Sequence, residues 1–201
     1  MTETDPPADT PDAPEAAATP EDAAAAPAPV DPVLVTVVRE IEQHAAGQGW
    51  DQPARIFALV PTGELLAQEP GLASALGIEG EPPAGSLTPV EQEPLTPEQN
   101  LEELLISIMW PDEVAGCAVV VERLVLPPSA DADLPDEPAA AQEYAAAHPE
   151  RQEVRMIAAA RRDGATYSAL RLRAHDDDFS VLEGPDLVPA LLELLSATFE
   201  Q

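Results

Sequence analysis

Two segments that flank Asp163-Gly164 constrain the fold more than any other part of the chain. Residues 151–174 alternate apolar and charged side chains, as antiparallel strands do. An Asp-Gly pair is typical of the tight turn between such strands. Two registers are open: a two-residue loop pairs Arg162 with Ala165, whereas a three-residue loop, with Gly164 left-handed at a bulge, pairs Arg161 with Ala165.

The three-residue loop separates apolar from charged side chains more completely. One face then carries Val154, Met156, Ala158, Ala160, Leu170 and Leu172, and the other carries Glu153, Arg155, Arg171 and Arg173. The two-residue loop would instead place Met156 beside Arg171 and Val154 beside Arg173, and a slip of one residue cannot be neutral. We therefore predict the three-residue loop. We expect an Asp substitution to be damaging at Val154 or Leu172 and mild at Arg171.

The rest of the sequence predicts helices with recognisable starts. Asp31-Pro32 supplies an N-cap and a first-turn proline. Thr96-Pro97-Glu98-Gln99 is a capping box with proline at the first helical position. A further helix is predicted near residues 138–147, and a last one opens at Gly184-Pro185-Asp186.

Apolar runs predict two more strands, at residues 55–60 and 116–126, whereas residues 79–94 are predicted to be a long connection. Together with the hairpin, these strands predict an α+β fold. We expect an antiparallel or mixed sheet of about four strands, with the helices packed largely on one face.

The first 31 residues differ in composition from the rest of the chain. They contain eight acids and no base, and no large apolar side chain lies between Met1 and Val30. Such a segment has little to bury against the entropy of ordering, so we predict a disordered acidic tail. Residues 32–201 are then predicted to form a single α+β domain.

Charge excludes several classes of function. The chain has 38 acidic and nine basic residues, for a net charge of −29, and all nine bases are Arg. Without Lys there is no Walker-type phosphate loop and no Schiff-base chemistry. Nucleic acid and anionic membranes are not expected as partners, because both attract Lys- and Arg-rich surfaces. No cofactor is predicted.

Cysteine usage and the N-terminus bear on the compartment. Cys117 is the only cysteine, so the chain cannot form an intramolecular disulfide, and its apolar surroundings predict a small buried side chain. The N-terminus is acidic where a signal peptide would be basic. No apolar run approaches the ~18 residues of a membrane span. We therefore expect a cytoplasmic protein.

Four stretches together carry a resemblance to a known family. They are Trp50-Asp51-Gln52-Pro53 with the strand after it, Trp110-Pro111-Asp112-Glu113-Val114-Ala115-Gly116, the segment from Arg171 to Asp178, and Gly184-Pro185-Asp186-Leu187-Val188-Pro189. With them, residues 32–200 resemble an uncharacterised family of small actinobacterial proteins. The resemblance implies a bacterial, cytoplasmic origin. It implies no activity, cofactor or catalytic residue.

The segment His175-Asp176-Asp177-Asp178 is the best candidate for a metal site. Carboxylates suit Mg²⁺, Ca²⁺ or Mn²⁺, and an imidazole extends the choice to Zn²⁺ or Fe²⁺. Successive side chains of an extended segment point to opposite sides, so a second segment would have to contribute ligands. The possible helpers are Asp112, Glu113 and Asp186. A solvated acidic loop and a docking surface are the alternatives.

The charged face of the hairpin is the second candidate site. In the predicted register Glu153 lies opposite Arg173, but Arg155 lies opposite Arg171, and like charges in that position repel. Either carboxylates of the same domain neutralise these arginines, or the face binds an acidic partner or the acidic tail. No convergent nucleophile, base and oxyanion set is visible. We therefore expect a non-enzymatic interaction or adaptor protein that uses Arg155, Arg171, Arg173, His175, Asp176, Asp177 and Asp178. The alternative is a metal-dependent enzyme or metal sensor that uses the His-Asp-Asp-Asp loop.

Overall fold

The strands pair into one antiparallel sheet. The computed structural model describes residues 30–93, 95–96 and 99–200, so most of the predicted acidic tail lies outside the described residues. The strand order is β2-β1-β3-β4-β5-β6. The strands are β1 (Arg55–Pro61), β2 (Leu87–Glu91), β3 (Gly116–Val125), β4 (Gln152–Arg161), β5 (Thr166–Leu172) and β6 (Leu182–Gly184).

The α+β class is confirmed, but the prediction of about four strands is wrong, because the sheet has six. The two strands that sequence reasoning missed, β2 and β6, are its edges. β2 lies inside the predicted long connection and contains Pro89, a residue that a sheet tolerates at an edge. β6 has only three residues, which is too short for an alternating pattern to be visible. Both strands are set by pairing with a neighbour, not by their own sequence.

The hairpin register is confirmed. The Arg161 N–H donates to the Ala165 carbonyl at 2.8 Å, and Gly164 has a φ of +90°. Val154 therefore pairs with Leu172, and Arg155 pairs with Arg171. The three-residue loop with its left-handed glycine thus fixes which side chains of β4 and β5 face each side of the sheet.

Helices cover both faces of the sheet. They are α1 (Pro32–Gly47), α2 (Thr62–Gln68), α3 (Leu72–Ala75), α4 (Leu101–Ser107), α5 (Pro138–Ala147) and α6 (Pro189–Ala197). α1 packs on the face that includes Phe57, Val120 and Ile157. α4 and α6 pack on the face that includes Ile56, Val119 and Ala158. The expectation that helices lie largely on one face is wrong, because the central strands are apolar on both faces and both need a cover.

Two helix starts illustrate how local rules hold or fail. α1 begins as predicted, with the Asp31 carboxylate accepting from the Val33 N–H at 2.8 Å. α4 begins later than predicted: Asn100 is its N-cap, and its side chain accepts from the N–H groups of Glu102 and Glu103. Gln99 still reaches back to the Thr96 N–H at 2.8 Å, as in a capping box. Among the described residues, no helix has the length and apolar character needed to cross a bilayer.

Candidate functional site

One end of the α1-covered face carries a cluster of charged side chains. The register places Glu122 of β3 opposite Arg155 of β4, and Arg155 opposite Arg171 of β5. Arg173 follows on the same side at the end of β5, and Arg55 begins β1 on that side. We call Arg55, Arg155, Arg171 and Arg173 the arginine cluster. The C-terminal half of α1 and the turn after it lie over it, through contacts from Glu42, Gln48, Gly49 and Trp50.

Arg171 is buried and contacts three carboxylates. Its Nε and Nη2 donate to the two oxygens of Glu42 at 2.6 and 2.9 Å, and it also contacts Asp178 at 2.9 Å and Asp176 at 3.3 Å. Arg171 is 2% exposed and Glu42 6% exposed. The hydrogen bond to Glu42 raises the pKa of Arg171 above its usual value. The mild effect expected of a substitution at Arg171 assumed a solvated face, and the structure instead buries this side chain.

Arg155 is equally buried and has its own carboxylate. Its Nε and Nη2 donate to one oxygen of Glu122 at 3.1 and 2.8 Å, and Nη2 also donates to the Gly49 carbonyl. Arg155 is 1% exposed. Its guanidinium carbon lies 4.4 Å from the centroid of the Trp50 ring, within cation–π range. The opposed pair Arg155 and Arg171 is thus stabilised because each guanidinium binds a different carboxylate, as the neutralisation alternative requires.

Trp50 links the buried arginines to the surface. Its ring also contacts the Arg173 guanidinium at 5.6 Å, and its Nε1–H donates to Asp176 at 2.9 Å. Arg173 binds both oxygens of Asp51 at 2.9 Å and one oxygen of Glu153 at 2.5 Å. The hydrogen bond from Arg173 lowers the pKa of the Asp51 carboxyl, and Asp51 holds a left-handed backbone with a φ of +65°. The cross-strand pairing of Glu153 with Arg173 is confirmed.

Each of the three consecutive aspartates accepts hydrogen bonds from other groups of the protein. Asp176 accepts from Trp50 and Arg171, and Asp178 accepts from Arg171. Asp177 accepts from the Phe179 N–H at 3.0 Å and the Ser180 hydroxyl at 2.7 Å, and the latter bond lowers the pKa of its carboxyl. Together they fold residues 173–180 into two 3₁₀ turns. The carboxylates therefore act as anchors of the loop.

The side chains of His175, Asp176, Asp177 and Asp178 are not grouped as a set of metal ligands in this structure. His175 is exposed, and the aspartates beside it accept hydrogen bonds from other groups of the protein. Within residues 30–93, 95–96 and 99–200, no three His, Cys, Asp or Glu side chains are grouped in a way that could hold a metal ion. The possible helpers Asp112, Glu113 and Asp186 are exposed, and they are not part of such a group.

Cys117 lies in the core, as predicted. It is fully buried on the face covered by α6, with its Sγ 3.7 Å from the Thr198 hydroxyl. Burial raises the pKa of its thiol to about 12, so the thiolate that a nucleophile needs is not available near neutral pH. Trp110 donates its Nε1–H to the same Thr198 hydroxyl at 3.0 Å, as expected of a packing residue.

Sequence reasoning missed several members of the site, although some had a visible signal. Glu42 falls within the buried stripe of α1, four residues after Val38 and next to Ile41, where a carboxylate needs a partner. Glu122 follows directly on the apolar run of β3. Phe179 had no such signal, and its side chain is 100% exposed.

Comparison with known proteins identifies the family of this chain. No curated protein and no solved structure matches it. The model of a family described as PPA1309-like protein matches residues 34–200, the part of the chain that contains the sheet and the arginine cluster. The chain therefore belongs to the PPA1309-like protein family.

Proposed function

We propose that this protein is a non-enzymatic interaction or adaptor protein, and that it docks a basic partner through residues 175–180, which we call the aspartate loop. The observation that carries the proposal is the full exposure of Phe179 on that loop. Burial of a phenylalanine side chain contributes roughly 1.5–3 kcal/mol, and aromatic residues are enriched among the anchors of interfaces. A phenylalanine held outside the core is thus available to a partner.

The aspartate loop is well suited to present that side chain in one orientation. Asp177 accepts from the Phe179 N–H, and Asp178, the residue directly before Phe179, binds Arg171, which is itself bound to buried Glu42. Asp176 fixes the start of the loop to Trp50. Preorganisation of this kind lowers the entropy lost on binding. The buried arginines Arg155 and Arg171 would therefore support the docking surface from below.

Charge favours a partner with basic groups around an apolar pocket. Asp176, Asp177 and Asp178 are exposed, and the groove between α1 and the aspartate loop is lined by Glu40, Glu42 and Glu183, with Arg39 paired to Glu183. The overall charge of −29 adds a long-range attraction for cations. A complementary basic surface would associate faster at low salt than at high salt.

The proposal extends to the setting of the protein. We propose that it acts in the cytoplasm of an actinobacterium, and that its partner is a protein. The charge balance supports this choice over nucleic acid or an anionic membrane, since Arg39, Arg155, Arg171 and Arg173 are already paired with carboxylates of the described residues.

A matched pair of substitutions tests the proposal. Phe179→Ala removes the exposed anchor, and Met109→Ala removes a 77% exposed apolar side chain beside α4, outside the aspartate loop. We expect both variants to keep the wild-type thermal midpoint. Each full-length protein is immobilised and exposed to lysate of an actinobacterium at low and high salt. The proteins retained should be lost with Phe179→Ala, kept with Met109→Ala and weakened by salt. Equal retention by Phe179→Ala would rule out the aspartate loop as the docking site.

A further inference from the structure

Arg55 is the one member of the arginine cluster that binds no carboxylate among the described residues. It is 4% exposed and lies on the α1-covered side of β1. Its Nη1 donates to the Gln48 side-chain oxygen at 2.7 Å. Its Nε and Nη2 are buried, and neither has a hydrogen-bond partner in the described part of the chain. A buried cation without a counter-charge is strongly unfavourable.

The two unpaired nitrogens of Arg55, Nε and Nη2, form one edge of the planar guanidinium group. In Arg39, Arg155 and Arg171 the same two nitrogens, Nε and Nη2, bind a carboxylate. Their two N–H groups can donate in parallel to a pair of oxygens on one anion, which is a strong, charge-assisted arrangement. In Arg55 that edge is present and buried, but none of the described carboxylates lies on it.

Arg155 contributes a second set of unpaired donors under the same turn. Its Nη1 is buried without a partner in the described residues, while its Nη2 contacts the Gly49 carbonyl. Arg55 contacts Gln48, the residue before Gly49. Glu122 binds Arg155, and Glu42, Asp176 and Asp178 bind Arg171, so among the three buried guanidinium groups of this face it is Arg55 that has no carboxylate in the described residues.

We infer that Arg55, assisted by Arg155, binds a small inorganic oxyanion, phosphate or sulfate, beneath the turn after α1. A tetrahedral oxyanion supplies a pair of oxygens to which Nε–H and Nη2–H can both donate, and its negative charge is the counter-charge that Arg55 itself lacks. The donors are enclosed, so a free ion fits better than a phosphate group on a macromolecule. Gln48 is exposed between two glycines, and its contact with Arg55 is the one that can yield to admit the ion. This inference does not depend on the proposed function.

Anion titration of the full chain tests the inference. Wild type, Arg55→Met and Arg151→Met are titrated with sodium phosphate, sulfate or chloride at constant pH and ionic strength, by thermal shift and by calorimetry. Arg151 is the matched control, because it is exposed and binds no carboxylate in the described part of the chain. We expect phosphate or sulfate to produce a saturable rise in thermal midpoint in wild type and Arg151→Met, and no such rise in Arg55→Met.

A charge-conserving variant keeps the test decisive if Arg55→Met does not fold. Arg55→Lys retains the positive charge but loses the paired edge, so its affinity for phosphate should fall by at least about tenfold. Phosphate and sulfate compete for one site under this inference, and their relative affinities identify the preferred ion. If chloride at equal ionic strength acts like phosphate, or if Arg55→Lys responds like wild type, the effect is general screening of a highly charged protein and the inference is wrong.

Discussion

The buried pair formed by Arg171 and Glu42 makes the sharpest prediction about stability. Arg171→Met removes the guanidinium group but keeps an unbranched apolar side chain. The Glu42 carboxylate, 6% exposed, then loses both of its charged hydrogen bonds. Breaking a buried pair by removing one partner costs roughly 3–5 kcal/mol. Because small domains are stable by about 5–15 kcal/mol, this variant should lose a large part of its free energy of unfolding.

Replacing Glu42 in place of Arg171 should lower the free energy of unfolding by less, because Arg171 has other carboxylate contacts. In Glu42→Gln, Arg171 keeps Asp176 and Asp178, which lie nearer to solvent. The expected loss is roughly 1–3 kcal/mol, the cost of an imperfectly satisfied buried group. The double variant Glu42→Leu with Arg171→Met leaves no buried charge at this position. It should be more stable than Arg171→Met alone, because an apolar pair can replace a buried ion pair at little cost.

Urea unfolding followed by tryptophan fluorescence measures these differences in free energy. Trp50 is a suitable probe because it contacts Asp176 and Arg155. Glu42→Leu alone completes a mutant cycle with Arg171→Met and the double variant, and in that cycle the two single losses should not add. The reasoning is refuted if Arg171→Met costs less than about 1 kcal/mol, or if the double variant loses the sum of the two single losses.

Three further predictions concern single positions. Burial raises the pKa of Asp31, but hydrogen bonds from Arg161 and a backbone N–H outweigh it, so the pKa lies below its usual value. Asp31→Asn keeps the N-cap. The free energy of unfolding that this variant loses relative to wild type, measured with urea, should therefore be largest above about pH 4. The difference should vanish as the pH falls through the pKa of Asp31 in the folded protein. Cys117 should react with a thiol reagent at pH 8 only after unfolding, which absorbance follows. Gly116→Ala should lower the thermal midpoint, since its Cβ would lie 2.8 Å from a backbone oxygen, whereas Gly47→Ala should be neutral or stabilising.

The hairpin could be predicted because its information is local. Gly164 requires a left-handed backbone at one position, and the alternation of apolar and charged residues distinguishes the two registers. The first residue of α1 was predictable for a similar reason, since Asp31 and Pro32 act within one turn. Where a structural choice involves only neighbouring residues, the sequence pattern is sufficient.

The environment of the arginines could not be predicted, because it depends on contacts across the chain. Residues 155 and 171 lie on the charged face of the hairpin, and alternation alone assigns such a face to solvent. Their burial follows from α1 and the turn after it, about 110 to 130 residues earlier, which bring Glu42 and Trp50 over them. The edge strand β2 was missed for the same reason, since its pairing with β1 outweighs the effect of Pro89.

The burial of Arg155 and Arg171 explains why arginine, and not lysine, suits these two positions. Arg39, Arg155 and Arg171 each bind a carboxylate through Nε and Nη2 together, a geometry that the single ammonium group of lysine cannot supply. The guanidinium group is also more weakly hydrated and remains charged when buried, so it tolerates 1–2% exposure where lysine would tend to lose its proton. A chain with 38 acidic residues has many carboxylates that can accept from the paired N–H groups of an arginine. At these buried positions arginine therefore cross-links segments that are distant in the sequence, and the excess of acids gives the molecule its negative charge.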